Sequence, residues 1–472
     1  MAVNQLKTGA ILSLLSFGAA NVLGLLYTPF MLRMMGQEEY GLYSLVASVV
    51  SYLTMLDFGF GNAIVRYTSQ YRATGRISEL PYMFGMFSML YAIVGVLALA
   101  LGLAIYFNVD LLFGRTMDAI EIKKIRIMML LLVFNVAFTF AMSVWRSIPI
   151  AYEKFVFSKT VNLARMLLNP LVMVFLLFMG YKAIALVIVT TIFNVITLCT
   201  DYWYCKKKLH VSLNIGHFRW NFIREVVSYS FWIFVGIIVE RIYWSAGQFM
   251  LGMFVGSAVV AVYAISVQLA YVYMGLGSFL WSMYLPKVTM LTNANDNEAI
   301  SDLFVRSCRI QYIILLFVVV LFVIFGKAFI TFWAGVEYTH AYPITLMFFA
   351  ALLFPYAQNM GAIVAQAQGA VMSYAVIRLL TSIIGLVLSS ILARLYSDIG
   401  CAIGITFALF LQTIMLNIYY SCKLHIDIPR FWNEIFKPSI FPLSVCIIGW
   451  HFLHNNEWEN FPILILNIIG FA

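Results

Sequence analysis

The sequence predicts an all-α, polytopic membrane protein, built as two parallel six-helix halves followed by a further apolar segment. Three observations carry this. Hydrophobic residues make up 63% of the 472 residues and charged residues 10%, against about 25% charged in a soluble domain. That is too few to cover a surface facing water. Residues 8–32, 80–109 and 242–286 contain no Asp, Glu, Lys or Arg, and a bilayer crossing needs roughly 20 apolar residues. Finally, "GQEEYGLY" (36–43) aligns with "GSAVVAVY" (256–263) at a shift of 220 residues, matching Gly36 with Gly256 and Tyr43 with Tyr263.

Hydropathy against length places spans at 8–33, 40–65, 80–107, 126–149, 156–180 and 183–204, which form the first half, residues 1–204. The basic connection "CKKKLHVSLNIGHFRWNFIRE" (205–225) follows. Spans at 226–253, 257–285, 308–332, 342–367, 371–394 and 399–421 form the second half, 226–421. Residues 422–472 add a thirteenth span at 438–454 and an apolar end, 460–472. Thirteen helical residues reach about 20 Å, short of the roughly 30 Å hydrocarbon core. The end is expected to be an incomplete helix or to lie in the interface. Turns as short as "VGSA" and "GYK" leave no room for outside domains, and backbone groups in hydrocarbon must be satisfied within each span. Six helices on each side of the linker suit halves related by an axis along the membrane normal.

Orientation follows from the basic residues. With the N-terminus inside, 18 of the 29 Lys and Arg fall in inner connections, eight in outer ones, and Arg165, Arg241 and Arg378 within spans. This bias places the N-terminus and 205–225 in the cytoplasm and 254–256 outside. The loop 108–125 is discordant, its basic residues balanced by Asp110, Asp118 and Glu121. The net charge of +9 is thereby accounted for, and no basic module for nucleic acid is present. The N-terminal run continues uncharged to Leu32, so an uncleaved span is expected there rather than a signal peptide. Cys199, Cys205, Cys308, Cys401, Cys422 and Cys446 lie in or beside apolar runs without CxxC spacing. They are expected to be reduced and small-apolar in role.

Residues 30–71, with "GQEEYGLYSL" and "DFGFGNAIVR", resemble the first hairpin of the Wzx-type polysaccharide flippases of the multidrug/oligosaccharidyl-lipid/polysaccharide transporter superfamily. Residues 240–269 resemble that family's seventh helix and following turn. The resemblance implies two bundles around a central cavity that opens alternately to each side of the bacterial cytoplasmic membrane. It also implies an undecaprenyl-diphosphate-linked oligosaccharide as substrate for surface polysaccharide such as O-antigen. Membrane lipids, a polysaccharide polymerase and assembly proteins are the expected partners. No cofactor is expected, and coupling to an H+ or Na+ gradient is left open.

An ionised side chain at mid-bilayer costs about 2.5–3.5 kcal/mol on insertion scales, so such residues face a cavity or a partner. Glu240 and Arg241 lie about 22 Å into the seventh span and are the first candidates for a substrate path. Arg165 and Arg378 join them as cavity candidates, with snorkelling open to Arg378. Arg146 is assigned to interfacial anchoring, and Arg66, Arg72 and Arg76 to topology. For Asp57, helix packing or a gate beside Gly59 and Gly61, substrate or ion contact, and interfacial solvation are all open. Asn21, Gln248, Gln358 and Asn359 are candidates either for sugar hydroxyls or for helix–helix bonding. His451 and His454 lack a third ligand and are read as interfacial, not metal-binding.

Arg241, helped by Arg165 and Arg378, is expected to form a cationic patch for the diphosphate between the halves. A cation-coupled drug exporter of the same superfamily is the alternative, although residues 8–32 contain no acid. A membrane-embedded glycan polymerase or glycosyltransferase would need a catalytic loop, and 108–125 is too short. No P-loop or GxGxxG occurs.

Overall fold

A computed structural model describes residues 5–216, 220–278 and 284–436, with Ser439 and Ser444. Among them there is no β-strand. Nine helical segments are long and apolar enough to cross a membrane. Large apolar side chains point outward along them, as with Val96 at 68% and Phe175 at 62% exposure. Such faces suit lipid, and the protein is a multi-pass membrane protein. The predicted span at 438–454, apart from Ser439 and Ser444, the end at 460–472 and both candidate histidines lie outside the described residues. The chain divides into two compact units, Met1–Arg241 with Gly256–Ala258, and Ile242–Val255 with Val259–Ala472.

In the first unit, α1 (Gln5–Met35), α2 (Gln37–Thr54), α3 (Phe60–Ala73) and α4 (Leu80–Phe107) are followed by a short α5 (Val109–Phe113). Then come α6 (Ala119–Ala151), α7 (Phe155–Phe178), α8 (Ala183–Lys207) and α9 (Trp220–Trp244), whose last three residues belong to the second unit. Helix α6 is the hub, packing on α2, α3, α4 and α8, while α1 pairs with α7. A reciprocal capping box starts α6. Asp118 accepts from the Glu121 amide, and the Glu121 carboxylate accepts from the Asp118 amide, satisfying two backbone donors at the helix start. The helix therefore begins seven residues before the predicted span.

The expected continuous span at 40–65 is broken. After Thr54 a single 3-10 turn covers Met55–Asp57, then Phe58 (φ 50°) and Gly59 (φ 70°) take left-handed conformations before α3 starts. Gly59 adopts this at little cost, and the adjacent turn carries Phe58 with it. The linker is shorter than predicted and is held in place. The Asn214 amide donates to the Pro81 carbonyl (2.9 Å), and the Asn214 carbonyl lies 2.1 Å from where a Cβ on Gly85 would stand. Only glycine permits that approach.

The second unit contains α10 (Ala246–Phe254), α11 (Ser257–Ser278), α12 (Leu285–Asn293), α13 (Asn297–Trp333), α14 (Ala341–Ala357), α15 (Met360–Ala367) and α16 (Val371–Lys423). The predicted span 342–367 is interrupted at Gln358 and Asn359 between α14 and α15. The predicted pair 371–394 and 399–421 is α16, kinked at Tyr396 and Ser397. Tyr243 bridges its two arms, bonding Thr381 and Gln412 at 3.2 Å each. Residues 428–436 are helical and tied to α13 by Arg309–Glu434 (3.0 Å) and Arg430–Asp302.

The 220-residue shift carries Gln37, first in α2, onto Ser257, first in α11. It also carries Ala73, last in α3, onto Asn293, last in α12. The matched glycines Gly36 and Gly256 both have positive φ, 82° and 135°, immediately before their helices. Two identities in the sequence thus mark a backbone repeat.

Candidate functional site

Helix α6 carries a polar residue every fourth position on one face: Asn135, Thr139, Ser143 and Ser147. The hydroxyls of Thr139, Ser143 and Ser147 each donate to the carbonyl four residues back, at 2.7, 2.8 and 3.1 Å. This satisfies the hydroxyl hydrogens locally and turns the oxygen lone pairs outward. The stripe faces a cavity of about 570 Å³ inside the first unit, also lined by Asp57, Tyr91, Arg146, Arg165 and Asn194. Asn135 lies about 24 Å from the Ala151 end of α6, and Arg165 about 15 Å into α7, so the cavity reaches middle depth.

The helix break explains the position of Asp57. Its carboxylate sits where α3 begins, the positive end of the helix dipole. It accepts from the Tyr91 hydroxyl (2.9 Å) and the Gly59 amide. Gly61 keeps this end open, because a Cβ there would lie 3.2 Å from the Ser147 hydroxyl. Arg165, also in the lining, donates through Nη1 to the Asn194 side-chain oxygen (2.9 Å). Arg146 is exposed to the cavity, and among the described residues no hydrogen bond or ion pair holds it. Two guanidinium groups and one carboxylate thus line the cavity, with Asp201 of α8 near enough to Arg146 to interact with its charge, and paired guanidinium groups suit an anion with several oxygens.

Of the candidates named from sequence, Asp57 and Arg165 share this cavity. Arg146, expected to anchor at an interface, lies five residues before the Ala151 end of α6, and its side chain lines the cavity. Glu240 and Arg241 occupy the last turn of α9 and do not line it; the Arg241 Nε is buried without a hydrogen-bond partner among the described residues. Arg378 lies over the Tyr374 ring in the second unit. Gln248, Gln358 and Asn359 are also in the second unit, with Gln358 2% exposed. The side chain of Asn21 lies outside the described residues.

Sequence reasoning missed Tyr91, Asn194 and the α6 stripe. The stripe had a signal, four polar residues at period four within "NVAFTFAMSVWRS". Asn194 had a weaker one, since Thr190, Asn194, Thr197 and Asp201 recur at helical spacing in α8, whereas Tyr91 in the apolar α4 had none.

Residues 6–289 match the model of the family described as polysaccharide biosynthesis protein, well over half of the chain. The protein belongs to that family. The chain is 20% identical over 429 residues to the "Uncharacterized membrane protein EpsK" of Bacillus subtilis (strain 168), covering 90% of this chain and 84% of that one. Among solved structures it resembles the lipid II flippase MurJ in an inward closed conformation, with TM-score 0.72 and 15% identity, over 98% of this chain and 96% of that one. It also resembles an inward-facing MATE-family multidrug transporter of the MOP superfamily, with TM-score 0.68 and 12% identity, over 86% and 94%. These likenesses establish a transporter fold of the MurJ and MATE type.

Proposed function

We propose that this protein flips a lipid-linked oligosaccharide, with an undecaprenyl-diphosphate anchor, across the cytoplasmic membrane by alternating access, its N-terminus inside. The observation that carries the reading is the Arg146 and Arg165 pair in a polar cavity of a polysaccharide biosynthesis protein. A diphosphate leaving the headgroup region must exchange water for other donors. Arginine offers a planar fork matched to phosphate oxygens. The α6 stripe offers acceptors to sugar hydroxyls. A polymerase and assembly proteins would receive the product.

Glycan export in a deletion strain tests this, with membrane abundance measured alongside. Arg146→Ala and Arg165→Ala should each cut export at least about tenfold at normal abundance, and normal export by the double variant overturns the reading. A second reading, a cation-coupled drug exporter, draws on Asp57 at the cavity wall and on the MATE likeness. It requires Asp57→Asn to abolish drug resistance conferred by the wild type; a wild type conferring none removes it. Export measured after separate collapse of H+ and Na+ gradients identifies the coupling ion.

A further inference from the structure

We infer that Asn194 is a positioning residue for the transported anion, holding the Arg165 guanidinium against the cavity wall without neutralising it. The inference rests on the reading of Arg165 as an anion ligand. Asn194 is 5% exposed and its bonds fix its orientation. Its side-chain nitrogen donates to Asn135 Oδ1 (2.6 Å) and to Thr139 Oγ1 (2.7 Å), and its oxygen accepts from Arg165 (2.9 Å). An amide nitrogen has two hydrogens, and both are used. The Thr139 hydroxyl hydrogen is already given to the Asn135 carbonyl (2.7 Å), so Thr139 can only accept here. The Asn194 amide therefore presents its oxygen to Arg165.

The chemistry of that oxygen is the point. A carboxylate in the same place would bind the guanidinium more firmly, but it would pair with its charge and compete with any substrate anion. A neutral carbonyl occupies one of five donors and leaves the charge and the other donors for the cavity. Asn135 and Thr139, one helical turn apart on α6, set the position of Asn194, and Asn194 sets that of Arg165. A charge on a flexible arm becomes a directed one, which is what a site must do to bind through geometry and not only through attraction.

Farnesyl diphosphate is the probe, titrated calorimetrically against the full chain in nanodiscs, with thermal unfolding of each variant recorded. Arg165→Ala should weaken binding about tenfold. Asn194→Asp should weaken it by a similar factor, because its carboxylate pairs with the guanidinium, and should also lower the unfolding temperature, because its second oxygen meets the acceptors Asn135 Oδ1 and Thr139 Oγ1. Non-additivity with Arg165→Ala is the readout that separates positioning from a merely structural role. Asn194→Ala should lose about fivefold, and should lose nothing further on an Arg165→Ala background. Should Asn194→Ala fail to fold, Thr139→Val, expected to lose about twofold to threefold, takes its place. Binding by the Asn194 variants and Thr139→Val within twofold of wild type, with Arg165→Ala weakened, overturns this inference alone. Unchanged binding by Arg165→Ala, or no binding by the wild type, overturns the anion-ligand reading and this inference with it.

Discussion

The two halves share a backbone register, but at matched positions they do different things. In the first, Asp57 follows the end of α2 and is held by Tyr91 from α4. The 220-residue shift places Gly277 opposite Asp57 and Gln311 opposite Tyr91. Gln311, 2% exposed, donates to the Leu276 carbonyl (3.1 Å), one residue before Gly277. A Cβ on Gly277 would fall 2.7 Å from the Tyr356 ring, which fills the space. In both halves a polar side chain from the following long helix braces the same stretch. Only in the first does the brace end on a carboxylate beside a cavity. The repeat preserves the scaffold, and the charge has been placed in one copy of it.

The largest expected effect comes from forcing the copies to match. Gly277→Asp drives a carboxylate into the Tyr356 ring within a buried cluster, and should cost about 3 kcal/mol or more. Sharp loss of membrane abundance and of thermal stability is the outcome to look for, and wild-type stability would show that the second half tolerates the chemistry of the first. Next, Arg165→Lys keeps the charge but loses the fork, so export should fall severalfold and remain above that of Arg165→Ala. Equal export by the two variants would show that fork and charge do not contribute separately.

Asp57→Asn removes the one acid lining the cavity and keeps an acceptor for Tyr91. Farnesyl diphosphate should then bind about threefold more tightly, with slower export at equal abundance, if the acid helps release the anion. Weaker binding would give Asp57 another task. The smallest effects divide the braces. Tyr91→Phe and Gln311→Leu should each cost about 1 kcal/mol in thermal unfolding, but only Tyr91→Phe should lower export. If Gln311→Leu lowers export equally, the brace matters as scaffold and the contrast between halves is weaker than drawn here.

The spans were legible because a bilayer imposes length and composition directly, and the repeat because Gly36 and Gly256 each mark a positive-φ turn. The interruptions were not. "LDFGFG" is apolar enough for a continuous helix, and only the left-handed pair Phe58–Gly59 ends it. Arg146 was read by its depth alone, near the end of a span, and which face of α6 carries it became visible only once α6 was packed against its neighbours. Asp57 and Arg165 could be singled out by the cost of their charge, yet nothing local joins positions 57 and 165. Asn194, uncharged and set among threonines in α8, was passed over while Asn21 and Gln248 were named. Their meeting depends on α6 lying beside α3 and α8, which is tertiary information.

The hydroxyl stripe of α6 gives the cavity a polarity of its own. Because Thr139, Ser143 and Ser147 have given their hydrogens to the helix, that wall presents lone pairs, while Arg146 and Arg165 present N–H groups. Arg146 stands between Ser143 and Ser147 on α6 itself, and Arg165 reaches the stripe through Asn194, which bonds Thr139. Donors and acceptors are therefore interleaved along the cavity and not set at opposite ends. A guest with acidic oxygens alone would leave the lone pairs of the stripe unanswered, and one with hydroxyl groups alone would leave the guanidinium groups so. The part of a glycolipid that answers both at one depth is the seam where phosphate meets the first sugar.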